Sequence, residues 1–110
     1  MSGKSKSNST AKRRLAEYES VFSALDHAAR RQILLILHFH GDRMTSGEIA
    51  GRFSCAWPTT TRHLKKLEES GLVEVERSGR EAIYTLNRKR MAVVEEWLSW
   101  FGSSKPSDIR

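Results

Sequence analysis

The sequence predicts a mainly helical domain carrying a single β-hairpin, and three observations predict it. Apolar residues between Leu15 and Phe53 recur at helical spacing. The stretch from Leu72 to Asn87 alternates apolar and polar residues about a Ser-Gly pair. Between these lies "WPTTTRHLKKLEESGLV", a leucine-edged basic helix closed by a glycine.

The length of 110 residues suits one domain with a single core. Hydrophobic residues make up 38% and charged residues 29%, the balance of a soluble globular chain. The longest apolar run, "ILLIL", is far too short to span a bilayer, so no membrane partner is expected. The basic N-terminus is not followed by an apolar segment, so no secretory signal is read. A single cysteine, Cys55, excludes an internal disulfide framework and a Cys-rich zinc site within one chain. A cytoplasmic, nucleoid-associated location is the expectation. Net charge is +6, but Lys4, Lys6, Lys12, Arg13 and Arg14 carry +5 of it, leaving +1 for residues 15–110. Any nucleic-acid role therefore rests on local placement of charge and on the basic tail.

Residues 1–12 read as a disordered basic tail, 13–102 as the folded domain, and 103–110 as a disordered C-terminal tail. Within the domain the expected order is four helices, two strands and a fifth helix. The first helix, about 13–26, spaces Leu15, Tyr18, Val21, Phe22 and Leu25 along one side. The second, about 28–40, is too apolar for a surface helix and stops at Gly41. The third starts with "TSGE", where Thr45 and Glu48 form a capping box, and runs to about Phe53. The fourth begins near Trp57, takes Pro58 in its first turn, and ends at Gly71. Val73 and Val75, then Ala82, Tyr84 and Leu86, mark two strands joined at "SG" and flanked by Arg77 and Arg80. The last helix has Asn87 as N-cap.

Two helices joined by a short turn, followed by an arginine-tipped hairpin, make a winged helix-turn-helix. Leu64 and Leu67 give the fourth helix its buried edge. Thr59, Thr60, Thr61 and Arg62 fill its first turns, with His63, Lys65 and Lys66 following. Small hydroxyls permit close backbone approach and bond phosphates or base edges, and their methyls touch thymine methyls. The candidate DNA surface adds Thr45 and Ser46 at the third helix and Arg77, Ser78, Gly79 and Arg80 at the wing tip. Trp57 stands beside the groove end, either to stack on a sugar or to cover the apolar side of the turn.

The sequence resembles the ArsR-type (arsenical-resistance-repressor-like) winged-helix regulators. The likeness is carried by "VFSALDHAARRQILLIL", "MTSGEIAGRFS" and "PTTTRHLKKLEESGLVEVERSGREAIYTLN", with the closing amphipathic helix. It implies a homodimeric repressor on a nearly palindromic operator of double-stranded DNA. It also implies that Thr59 to Arg62 with Lys65 lie in the groove and that Arg77 to Arg80 form the wing tip. One departure is "FSCAWP", longer than the commonest turn between these two helices.

Metal-sensing members of that family use cysteines in the third helix, or His and carboxylate ligands in the last. Here the third helix reads "GEIAGRF" and the last carries Glu95 and Glu96 without histidine, so no metal or cofactor is expected. His38 and His40 near Asp42 form a loose cluster, but positions i and i+2 do not face one way on a helix. Cys55 sits just before a helix N-terminus, where a thiolate is favoured, although a lone cysteine also serves as a small hydrophobe. No nucleophile–base pair or phosphate-cradling loop is present, so the chain does not read as an enzyme.

The last helix argues for two chains. Met91, Val94, Leu98 and Phe101 fall in one arc of roughly 80° and Val93, Trp97 and Trp100 in the next, so about half the circumference is apolar. With Leu15, Tyr18 and Phe22 of the first helix, these residues are the expected homodimer interface. Two other readings stay open. One is an effector-responsive repressor with a metal or thiol switch; the other is a winged-helix protein-interaction module that binds no DNA.

Overall fold

The computed structural model describes residues 2–53 and 57–102, with side chains from Thr10 onward. Five helices and three strands follow in the order α1 (Ser2–Leu25), α2 (Ala28–Phe39), β1 (Arg43–Thr45), α3 (Ser46–Gly51), α4 (Trp57–Glu69), β2 (Val73–Ser78), β3 (Glu81–Leu86) and α5 (Arg88–Ser99). The strands form one antiparallel sheet in the order β1-β3-β2. This is the winged helix-turn-helix architecture, mostly helical with a small wing.

Three boundaries differ from expectation. β1 adds a third strand, pairing Met44 with Tyr84 of β3; three residues carry one inward side chain, too few for an alternation to show. α1 begins at Ser2, so residues 2–12, expected as part of a disordered tail over 1–12, lie in the helix. Extending an existing helix costs far less than nucleating one, and lysine, arginine and alanine are good helix formers. The hairpin loop is Gly79-Arg80 and not Ser78-Gly79, because Ser78 still pairs with Glu81. Gly79, at φ +63, takes the first loop position as a II′ turn requires. The expected C-terminal tail and Cys55 lie outside the described residues.

Local chemistry explains where the helices begin and stop. His27 caps α2, its Nδ1 accepting the Ala29 amide at 3.1 Å. At the other end the Asp42 amide reaches back to the Leu37 carbonyl at 2.7 Å, across Gly41 at φ +80. α4 closes in the same way, with the Leu72 amide on the Leu67 carbonyl at 3.1 Å and Gly71 at φ +84. A Cβ on residue 71 would also stand 3.1 Å from Arg90 Nε, which is held by the Ser70 carbonyl.

The core is built from Val21 and Ala24 of α1, Ile33, Leu34 and Leu37 of α2, Ile49 of α3, and Leu64 and Leu67 of α4. Leu72, Val73 and the β3 residues Ala82, Tyr84 and Leu86 close it from the sheet side. Each fully buried aliphatic side chain such as Ile33 or Leu37 contributes about 1.5–3 kcal/mol. The N-terminus of α5 is tied down by Arg88, whose guanidinium forks onto both carboxylate oxygens of Asp42 at 2.6 and 2.8 Å. Arg14 of α1 pairs with both Glu17 and Glu96, joining α1 to α5.

Candidate nucleic-acid interface

The site is one face of α4 with its flanks. α4 packs Thr60, His63, Leu64 and Leu67 inward and leaves Thr61, Arg62, Lys65 and Lys66 exposed, with Thr59 at the margin. Two expected contact residues are therefore misplaced by the sequence reading. Thr60 is 0% exposed and His63 only 8%, so both belong to the underside of the helix. The reason is angular: Thr60, Leu64 and Leu67 fall at i, i+4 and i+7, one helical face.

Charge along the exposed face is segregated. No acid occupies the first turn of α4, where the helix dipole would favour one. Glu68 and Glu69 instead end the helix, where the dipole disfavours them. This costs some helix stability and leaves the N-terminal half of the face positive. Among the described residues, Arg62, Lys65, Lys66 and Arg80 form no salt bridge. Unpaired cations on one surface are what a polyanion would neutralise.

Thr45 and Ser46 stand at the start of α3. The Thr45 hydroxyl accepts the Glu48 amide at 3.1 Å while Glu48 accepts the Thr45 amide at 2.8 Å, completing the expected capping box. The Thr45 amide on its carboxylate, foremost, holds the Glu48 carboxyl below its ordinary range. Ser46, Trp57, Thr61, Gly79 and Arg80 line a groove of about 310 Å³ between α4 and the wing. Trp57 is half exposed there. Arg77, Ser78, Gly79 and Arg80 are all exposed at the wing. Burial pushes the Tyr84 pKa up, and the nearby Arg77 charge pulls against that rise.

Sequence reasoning missed the post beneath the helix. Arg30 of α2 donates to the Ala24 and Ser23 carbonyls at 2.6 and 3.2 Å and lies 3.3 Å from His63 Nδ1. His63 also packs against the rings of His27, at 4.5 Å, and Phe53. The end of α1, the start of α2 and the middle of α4 meet at this point. No local pattern announces Arg30, because its partners are carbonyls that only the fold brings near.

Burial first, then the charges of His27, Arg30 and Arg62, push the His63 pKa below the ordinary histidine value. On acidification the unfolded chain therefore takes up this proton before the native one does. The associated stability is present above the ordinary histidine pKa and is lost as pH falls from there toward the lowered native value. Urea midpoints should thus fall between about pH 7.5 and about pH 5.5 in the wild type and fall less in His63→Gln. Equal falls in the two proteins would assign the effect to other groups.

The remaining candidates resolve differently. His38 Nδ1 lies 2.8 Å from Arg88, and His40 Nδ1 lies 2.9 Å from the Ile36 carbonyl, so the two histidines serve separate bonds. Among the described residues no group of three His, Cys, Asp or Glu is placed to hold a metal. An apolar cleft of about 700 Å³ between α2 and α5 shares no residue with the cationic face.

Of the residues expected at a chain–chain contact, Tyr18 and Val93 are buried in their own core, a correction to that assignment. Tyr18 accepts a hydrogen bond from Trp100 Nε1 at 3.1 Å, and Phe22 meets Trp97 edge-on at 5.0 Å. Phe22, Met91, Val94 and Trp97 are half-buried, while Leu15, Leu98, Trp100 and Phe101 remain exposed. No helix among the described residues is long and apolar enough to cross a membrane.

Residues 25–76 match a helix-turn-helix domain family. The transcriptional repressor SdpR of Bacillus subtilis (strain 168) is 32% identical over 81 residues, covering 74% of this chain and 84% of that protein. An ArsR-like transcriptional regulator from Rhodococcus sp. RHA1 superposes with a TM-score of 0.69 at 29% identity, over 81% of this chain and 82% of the other. A winged helix-turn-helix DNA-binding domain from Mycobacterium bovis, described as homodimeric, has the same fold at a TM-score of 0.64 and 22% identity, over 82% and 84% of the two chains.

Proposed function

The chain belongs to the ArsR family of winged helix-turn-helix transcriptional regulators, and on that premise we propose that it is a dimeric repressor reading operator DNA with the outer face of α4. One observation carries the reading. Thr61, Arg62 and Lys65 stand exposed on a helix whose opposite edge is anchored in the core, and Arg80 stands exposed at the wing beside it. An anchored helix presents its N-terminal turns to base edges without reorganising, which is what major-groove reading demands. Ser46 and Thr45 at the start of α3 and the wing residues Arg77 to Arg80 hold the backbone.

Two copies are part of the reading. Leu15 is 61% exposed and Leu98 53%, with Trp100 and Phe101 beside them. The homodimeric Mycobacterium bovis neighbour supports pairing two such surfaces. A twofold dimer presents two α4 helices to half-sites about one or more DNA turns apart.

The test uses a duplex selected by the wild-type chain from random sequence. Arg62→Ala and Lys65→Ala should each weaken binding by about 1–3 kcal/mol if they read bases. Thr61→Val should weaken it too, whereas the effect of Thr60→Val should fall on folding stability, since that side chain faces the core. Intact affinity in all three surface variants would sink the recognition-helix assignment and leave a protein-interaction module standing.

A further inference from the structure

Besides the wing-side groove, α4 has a second one on its other flank. It lies between α2 and α4, has a volume of about 520 Å³, and is lined by Arg30, Thr59, Arg62, Lys65 and Lys66 with the two histidines His27 and His63. Four cations stand there against one carboxylate, Glu69. Around the α4 axis, at about 100° per residue, Thr59 and Lys66 sit close together at one margin of the exposed arc, and Trp57 and Thr61 at the other. The two grooves therefore border the reading face on opposite sides.

An α-helix with its side chains is about 10–12 Å across, and the major groove is about 12 Å wide. A helix that fills it has a phosphodiester strand along each flank. We propose that the α2–α4 groove is the seat for a backbone phosphate on the strand across the major groove from the one beside the wing. Lys66 reaches the phosphate from the rim, the Thr59 hydroxyl donates to it, and Arg30 supplies a fixed charge at the floor. Arg30 suits that place because its bonds to the Ser23 and Ala24 carbonyls already hold its fork still, so little side-chain entropy is lost on binding. The same arginine ties α2 to His63 of α4, so the phosphate contact and the reading helix are set by one scaffold. The inference rests on the DNA reading above and adds the second strand to it.

The experiment scans single neutral methylphosphonates along both strands of the selected duplex, with wild type, Lys66→Gln and Arg80→Gln. In the wild type, neutralising a contacted phosphate weakens binding. Lys66→Gln should abolish the penalty at one position in each half-site and lower the salt slope by about one unit per subunit. Within the same half-site, Arg80→Gln should abolish it at a position on the opposite strand. Arg30→Gln should lower the slope in the same way and Arg30→Lys restore it; should Arg30→Gln fail to fold, the Lys66 scan decides alone. A Lys66→Gln profile identical to wild type, or one whose affected phosphate lies on the same strand as that of Arg80 within one half-site, overturns the proposal even if α4 reads bases. A wild-type chain that selects no duplex overturns the underlying DNA reading as well.

Discussion

A double substitution Leu15→Asp with Leu98→Asp is expected to yield a folded monomer whose affinity for the selected duplex is lower by about 10²–10⁴-fold. Both side chains are exposed on the single chain, at 61% and 53%, so neither change removes a group from the core. On a twofold surface every substitution appears twice, so a self-facing apolar patch would gain four carboxylates that repel one another. The fall in affinity follows from tethering. The first bound α4 holds the second near its half-site at a high effective concentration, and that advantage vanishes when the subunits part. Light scattering should report one chain, circular dichroism should report unchanged helix, and the residual binding should be that of one half-site. A variant that stays dimeric places the contact elsewhere on the chain. A monomer with undiminished affinity denies the twofold mode of operator binding.

What the sequence disclosed was what short-range chemistry controls. The Thr45–Glu48 box, the glycine stops at 41 and 71, the Asn87 cap and the alternation of β3 are each complete within a few residues, and each is present. β1 exists only because β3 lies beside it, so a three-residue segment carried no signal of its own. The hairpin loop slipped by one residue because Ser-Gly and Gly-Arg both suit a two-residue turn until the ladder fixes Ser78 opposite Glu81.

The candidate site divides in the same way. The basic outer face of α4 was legible from composition, and the inward places of Thr60 and His63 were available from the spacing to Leu64 and Leu67. Reading the three threonines as one surface hid that spacing. The Arg30 post was beyond reach, since an arginine in "HAARRQ" looks like any exposed cation until the end of α1 turns its carbonyls toward it. The start of α1 misled in another way: serine and lysine content marks poor core formation, which does not forbid a helix that grows outward from a packed one.

Leu67→Ala should remove about 2–5 kcal/mol of folding stability, a large part of the about 5–15 kcal/mol a domain of this kind possesses. Leu67 is 0% exposed, and its carbonyl accepts both the Leu72 amide and the Ser70 hydroxyl, so the backbone there is pinned and cannot collapse into the space left by the side chain. Urea denaturation at fixed protein concentration should show a lower midpoint with an unchanged slope. Under strongly native conditions the folded fraction should still bind the selected duplex, because Thr61, Arg62 and Lys65 lie on the opposite face. Arg62→Ala should do the reverse, weakening DNA binding with little change in the urea midpoint. Together the two variants test whether the two faces of α4 have separable roles, one set by apolar burial and one by exposed hydroxyls and cations. If Leu67→Ala leaves the midpoint unmoved, α4 is not seated on the core as described. If it instead destroys binding while the chain remains folded, the reading face depends on strain in that seat and not only on exposure.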